Sequence, residues 1–465
     1  MKEKEVRTIE YTEKAAGLTK DLTTGSPMKL IIGFALPMLL GLLFQQFYSL
    51  VDTIIVGKFL GVEAFAGVGA TGSITFLVLG FCMGMCNGFA IPIAQMFGAK
   101  NEVGLRKSVA NCIWLCIGFS VLITTLVTVF CRQILQVMDT PDDIIEYSYD
   151  YLIIIFFGIP FLILYNETAA ILRALGDSKS PVVFLALSSV MNIVLDLLII
   201  LVLKSGVAGA AWATVISQAT SGVICLIYMK KRFAILKMQK GEMRVEPSYM
   251  LKLCGVGIPM GLQYSITAIG SIVVQTAING LGSVYVAAVT AGMKINNFLA
   301  CPMEALGTTM APYAGQNVGA GKVDRVEKGL KSGILCGFVV SAVMLVVSIL
   351  FGKNLTMLFL KEKNDEVLKY SYIFLVANVA FYFLLVFVNC VRFTIQGMGY
   401  SGFAIIAGVL EMVARTLAGK LLVPIAGFYG IMFASPLAWL FADAFLIPAF
   451  YKCKKKTEKT IQVQT

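Results

Sequence analysis

The sequence predicts an all-α polytopic membrane protein with 12 transmembrane helices in two pseudo-symmetric six-helix lobes, and three observations lead there. Of 465 residues, 58% are hydrophobic and 14% charged, with a mean hydropathy of +0.83. A soluble domain sits near ~45–50% apolar and ~25% charged. Apolar runs of about 20 residues or more, each able to cross ~30 Å of hydrocarbon, follow one another along the chain. Finally, the chain is written twice. Pro37 returns as Pro259, Leu60-Gly61 as Leu281-Gly282, Gln95-x-x-Gly98-Ala99 as Gln316-x-x-Gly319-Ala320, and Gly206-x-x-Gly209 as Gly427-x-x-Gly430. The offset stays near ~221 residues, as a tandem duplication leaves it.

In order, the apolar runs fall near 29–57, 64–97, 105–130, 144–172, 181–203 and 206–229, then 250–280, 283–317, 329–352, 367–397, 402–423 and 426–451. Six per repeat is an even number, so both halves enter the membrane from one side and are related by an axis along its normal. The expected organisation is a cytoplasmic N-terminal tail over 1–28, an N-lobe over 29–229, a basic linker over 230–249, a C-lobe over 250–451 and a basic tail over 452–465. The tail is expected to cap nothing and to be disordered. Residues 1–28 are polar and mixed in charge, which does not fit a cleavable signal peptide. A complete two-lobe chain needs no partner, so a monomer is expected.

Orientation follows from Lys and Arg. With the N-terminus inside, the cytoplasmic loops hold Lys100, Arg106, Lys107, Arg173, Lys179, Lys322, Arg325, Lys328 and Lys331. The linker adds a basic run from Lys230 to Arg244, and the tail adds Lys452, Lys454, Lys455 and Lys456. Outer loops are short or acidic, as at Asp139, Asp142, Asp143 and Glu146, with Lys361 and Lys363 the exception. The bias places both termini in the cytoplasm, at the plasma or inner membrane. It also accounts for most of the +11 formal charge, so no nucleic-acid partner is implied. The 11 Cys are scattered singly in apolar helices, no CxxC or CxxH pattern occurs and His is absent. Small buried hydrophobes are the expected role of these cysteines, not disulfides or zinc ligands.

Glycine and proline describe the helices. Gly80, Gly84 and Gly88 form a face that lets a neighbouring backbone approach closely. Pro37, Pro160, Pro259 and Pro302 lie inside apolar runs and are expected to bend them, Pro37 and Pro259 at matching places in the two repeats.

Ionisable groups within the spans are few and costly, which makes each a functional candidate. The first span carries Gln45, Ser49 and Asp52 on one stripe, and the fifth carries Asn192 and Asp196 one turn apart. Counted from the outer ends at ~1.5 Å per residue, Asp52, Asp196 and Thr214 all lie ~12–14 Å deep. Two aspartates at one level in a low-dielectric site cannot comfortably both ionise. Such a pair, with Asn and Thr oxygens beside it, can hold a proton, a dehydrated Na⁺ or an organic cation, one at a time. The second repeat has no such pair. It offers a neutral stripe of Tyr264, Ser271 and Gln275, with Lys294, Glu304, Glu411 and Arg415 as its charged groups. Glu411 and Arg415, four apart, are expected to pair with each other, with Lys294 near mid-depth as a possible third member. Glu167, Arg173 and Arg392 are expected to snorkel or pair near the inner surface.

The segment from Gln45 to Gly61, Gln-Gln-Phe-Tyr-Ser-Leu-Val-Asp-Thr-Ile-Ile-Val-Gly-Lys-Phe-Leu-Gly, resembles the first-helix signature of multidrug and toxic compound extrusion (MATE) transporters. So do the Gln95–Ala99 segment and its repeat, the Arg173-Ala174-Leu175-Gly176-Asp177 loop and the Gly209–Thr214 segment. The resemblance covers nearly the whole chain. It implies a cation-coupled exporter with no enzymatic activity and no cofactor beyond H⁺ or Na⁺ as coupling ion. In branches with a DinF-like N-lobe site, the central acid falls on Asp52, its partners on Asn192, Asp196 and Thr214, and the bending Pro and preceding Tyr on Pro37 and Tyr48. The acids that a NorM-like branch places in its seventh and tenth helices have no counterpart here.

The expected function is therefore an antiporter that exports amphipathic, mostly cationic compounds in exchange for H⁺ or Na⁺. Gln45, Tyr48, Tyr264, Gln275 and Lys294 are the candidate substrate-contacting side chains. The alternative is a lipid-linked oligosaccharide flippase, which needs several cavity cations to hold a pyrophosphate, whereas only Lys294 and Arg415 are available. A membrane-embedded transferase expects clustered acids or a His base, and a channel a multi-helix filter or a ring of charge.

Overall fold

The computed structural model describes residues 20–138, 140–358 and 364–464. Asp139, Lys361, Lys363 and residues 1–19 lie outside the described residues. Every regular element among the described residues is helical. The first repeat holds α1 (Pro27–Phe59), α2 (Val62–Ala70), α3 (Gly72–Gly98), α4 (Glu102–Val129), α5 (Cys131–Val137), α6 (Ile145–Phe157), α7 (Ile159–Ala174), α8 (Lys179–Leu197) and α9 (Gly206–Arg232). The second holds α10 (Pro247–Asn279), α11 (Ser283–Gly319), α12 (Val323–Met357), α13 (Asp365–Ala380), α14 (Tyr382–Gly397), α15 (Gly402–Leu417), α16 (Val423–Ala426), α17 (Phe428–Met432) and α18 (Ala434–Gln464). Ten described helical stretches are long and apolar enough to span a membrane, and twelve when each of two bent pairs counts as one span.

The duplication is legible in the backbone as well as in the letters. The α6–α7 pair bends by 47° and its counterpart α13–α14 by 49°. At the first break a Cβ on Gly158 would sit 2.5 Å from Val215, so only glycine fits. Pro160 follows at once, in the first turn of α7. Its missing N–H costs nothing there, and the bend expected at Pro160 falls at this break. Gly61 (φ 90) and Gly282 (φ 103) both turn the chain in the left-handed region. A π-helical stretch follows α8 at Leu198–Val202, and another follows α15 at Ala418–Leu422.

By packing the chain divides into two units. One contains Leu40–Gly261 with Leu22 and the described residues before it, the other Thr23–Leu39 with Leu262 onward. This differs from the expected division at the 230–249 linker. The boundaries fall inside α1 and α10, shortly after Pro37 and Pro259, through which both helices run unbroken. The reason lies in what each stretch packs against. The linker is clamped to α4: Glu242 accepts from Arg106 at 2.8 Å, Lys107 pairs with Glu246 at 2.8 Å, and Trp114 Nε1 donates to the Met243 carbonyl at 2.9 Å. Gly88 on α3 faces α10 so closely that a Cβ would lie 2.5 Å from Gly257 Cα. In the other unit, Lys322 and Arg325 donate to the carbonyls of Thr23 and Gly25, each at 3.0 Å.

The basic tail is also corrected. Ala434–Gln464 is one helix, so the segment expected to be disordered is its last turns. Lys454 reaches Glu327 at 2.5 Å, Thr457 donates to Tyr400 at 3.2 Å, and Cys453 is buried. These contacts supply the partners that a free basic tail would lack.

Candidate functional site

In the first unit the structure brings together the polar residues singled out by depth. Asp196 stands at the last turn of α8, just before the π-helical stretch, and is fully buried. It lies in the electrostatic field of the Asp52 carboxyl from α1. One turn back, Asn192 is buried and its Nδ2 donates to Thr214 Oγ1 on α9 at 3.4 Å. Tyr48 precedes Asp52 by one turn and lies within electrostatic range of it.

The atoms left over define what this cluster lacks. Both Asp196 carboxylate oxygens, one Asp52 oxygen and the Asn192 carbonyl oxygen are buried without a protein donor. Leaving one buried acceptor unsatisfied costs about 1–3 kcal/mol, and more for a charged group. Among the described residues no Lys or Arg pairs with either acid. These four acceptor oxygens are left without a donor or a positive charge from the described residues.

Sequence reasoning missed Tyr151 on α6. Its side chain packs with Ile55, Val56, Ile200 and Ala210, and its hydroxyl lies within electrostatic range of Asp52, Asp196 and Tyr48. A depth count along α6, as applied to the acid-bearing helices, would have flagged it.

The second unit builds a different cluster. Glu411 on α15 is buried between two arginines: Arg392 of α14 binds one oxygen, and Arg415, one turn on, lies 3.6 Å from the other. Arg392 was expected to snorkel, but it lies 5% exposed in the interior because Glu411 supplies its counter-charge. Asp443 on α18, missed in the sequence, sits in the field of Arg392 with both oxygens buried and unbonded. Two cations and two anions balance there. Lys294 is exposed and takes no part in the Glu411 ion pairs. Gln275 spends its amide on Asn279 at 2.9 Å, and Tyr264 lies near Arg392. Glu167 is not at a surface either. It is 5% exposed and accepts from the Cys112 thiol at 3.0 Å.

The MatE family model matches residues 37–198 and again 259–421, once per repeat. The chain belongs to the MATE family. It is 30% identical to the probable multidrug resistance protein YoeA of Bacillus subtilis over 71% of this chain and 73% of that protein. It is 31% identical to the probable multidrug resistance protein YpnP of Bacillus subtilis over 80% of this chain and 82% of that protein. Among solved structures, an outward-facing multidrug resistance MATE family transporter of the MOP superfamily superposes with a TM-score of 0.86. That match is 22% identical and covers 94% of this chain and 98% of the other. The fold and the doubled family match make this chain a MATE family transporter.

Proposed function

We propose that this chain exports amphipathic, mostly cationic compounds across the cell membrane in exchange for H⁺ or Na⁺. Asp52 and Asp196 carry the ion, and Asn192 and Thr214 support them. One observation carries this reading: a buried carboxyl pair with no protein donor and no counter-cation. Such a pair is stable only when something positive enters, and a proton, a sodium ion and an organic cation exclude one another there. The multidrug names of YoeA and YpnP support small-compound export over the flipping of a lipid-linked sugar. Gln45 and Tyr48 of α1 and Tyr151 of α6, the two tyrosines within electrostatic range of Asp52, are the side chains offered to substrate.

Efflux of a cationic dye from proteoliposomes, with pH and Na⁺ gradients imposed separately, tests the proposal. One gradient should drive wild-type efflux. Asp52→Asn, which fixes the neutral form of that acid, should fold but lose gradient-driven efflux. Wild-type, pH-driven efflux by Asp52→Asn at normal protein levels would falsify the assignment. The proposed orientation places the 230–249 linker in the cytoplasm. In a background without native thiols, Lys237→Cys should resist an impermeant thiol reagent in intact cells and react in broken ones.

A further inference from the structure

Three helices of the first unit bring together sulfur and oxygen ligands that no short sequence motif connects. Cys112 and Cys116 sit one turn apart on the same face of α4, their sulfurs 4.0 Å apart. Glu167 of α7 reaches in, its Oε1 3.0 Å from the Cys112 sulfur. The three donor atoms lie within 4.8 Å of one another. Cys86 of α3 stands beside the group, within electrostatic range of Cys116 and Glu167, with its thiol 4.0 Å from the Ile163 carbonyl. The second Glu167 oxygen is buried and has no hydrogen-bond partner.

We infer that Cys112, Cys116 and Glu167, with Cys86 at the fourth corner, form a site for one thiophilic divalent cation of the Zn²⁺ or Cd²⁺ kind. Bonds of about 2.3 Å to sulfur and about 2.0 Å to oxygen put the ligand atoms of a tetrahedron roughly 3.5–3.8 Å apart. The observed 3.0 and 4.0 Å separations bracket that spacing, so small side-chain adjustments close the shell. Soft thiolates select such ions over Mg²⁺ or Ca²⁺. Charge also balances. On binding, the Cys112 and Cys116 thiols release their protons to solvent, and Glu167 binds as carboxylate. Two thiolates and one carboxylate against a divalent ion leave one negative charge, which the Arg173 guanidinium acting on Glu167 offsets. At this cluster the cysteines are grouped, not the isolated small hydrophobes expected from the sequence. Its four residues come from 86, 112, 116 and 167, a spread that spacing rules do not search.

Titration of the purified full-length protein with Cd²⁺ tests the site through the ultraviolet thiolate-to-cadmium charge-transfer band. The band should saturate at one Cd²⁺ per chain in the wild type and in Cys225→Ala, a cysteine outside the cluster. It should vanish in the Cys112→Ala/Cys116→Ala double variant, which replaces buried thiols with buried methyls. Glu167→Gln keeps both thiols and should weaken binding by about tenfold or more. Thermal unfolding of each variant without metal separates loss of the site from loss of the fold. If the double variant does not fold, Glu167→Gln and Cys86→Ala carry the test alone. Absence of a one-equivalent band in the wild type, or its survival at full strength in the double variant or in Glu167→Gln, overturns the inference.

Discussion

The two units share a backbone plan and differ in how they handle buried charge. In the first, Asp52 and Asp196 face each other with no cation and with oxygens that nothing in the protein satisfies. In the second, Glu411 is held by Arg392 and Arg415, and Asp443 sits beside Arg392. The first cluster is short of positive charge. The second carries its own counter-charges, although Arg392 Nε, Arg415 Nη1 and both Asp443 oxygens are left without a hydrogen-bond partner. A duplicated scaffold thus carries one polar centre without counter-charge and one with its counter-charges built in.

The largest expected effect is in the second unit. Glu411→Gln leaves two buried arginines facing each other with one remaining acid, and breaking a buried pair in this way costs about 3–5 kcal/mol. Folded protein on size exclusion should fall steeply, while efflux per folded molecule holds. Pairing it with Arg392→Gln should recover expression, since Arg392 makes the closer contact. Normal expression with abolished coupling would move ion exchange into this unit and break the comparison.

Next come the two unbonded aspartates. Asp196→Asn should fold normally and lose about tenfold or more of gradient-driven efflux in liposomes, a loss of rate and not of protein. Asp443→Asn should show the reverse: unaltered coupling per molecule and a smaller folded yield, as Arg392 loses part of its counter-charge. Matching outcomes for both would erase the distinction between the units.

A test of packing alone is smaller. Gly88→Val forces a branched side chain onto the Gly257 backbone, where a Cβ would already lie 2.5 Å away. Overpacking of this kind costs about 1–3 kcal/mol and should lower the midpoint of thermal unfolding without a specific effect on ion coupling.

The smallest effect concerns pH and the linker. Arg106 and the Gln239 amide hold the Glu242 carboxyl below its ordinary range. A lowered carboxyl titration stabilises the fold above the unfolded value of about 4.3, and that contribution is lost as pH falls through the lowered one. Unfolding midpoints should therefore drop in acid, and Glu242→Gln should flatten that part of the profile. An unchanged profile would mean the linker clamp adds nothing measurable.

Much of the architecture was legible because hydropathy and length alone decide what crosses a membrane. The repeat spacing then located Gly61 with Gly282 and Pro37 with Pro259. Pro160 pointed to the α6–α7 bend, whereas the α13–α14 bend was not visible, since its apolar run holds no proline. The exchange of helix segments at Leu39 and Gly261 was hidden for a related reason: packing partners distant in sequence decide it. In the site, rise per residue gave the level of Asp52, Asp196 and Thr214. Depth says nothing about which helix stands beside which, so Tyr151, Asp443 and the Arg392–Glu411 bond were out of reach. The cysteine group was missed on the same ground, with donors from three helices.

The π-helical stretches at Leu198–Val202 and Ala418–Leu422 have a historical consequence. A π turn amounts to one residue inserted into an α-helix, and here it stands at equivalent places in both copies. Two separate insertions at one spot are a poorer account than a single event in the gene before it doubled. The ancestral half-length chain then already carried this widened turn. In the first copy it begins two residues after Asp196; in the second it begins three residues after Arg415. The helix irregularity is thus older than the difference in charge between the units, and the acids and arginines are later variations on an inherited shape.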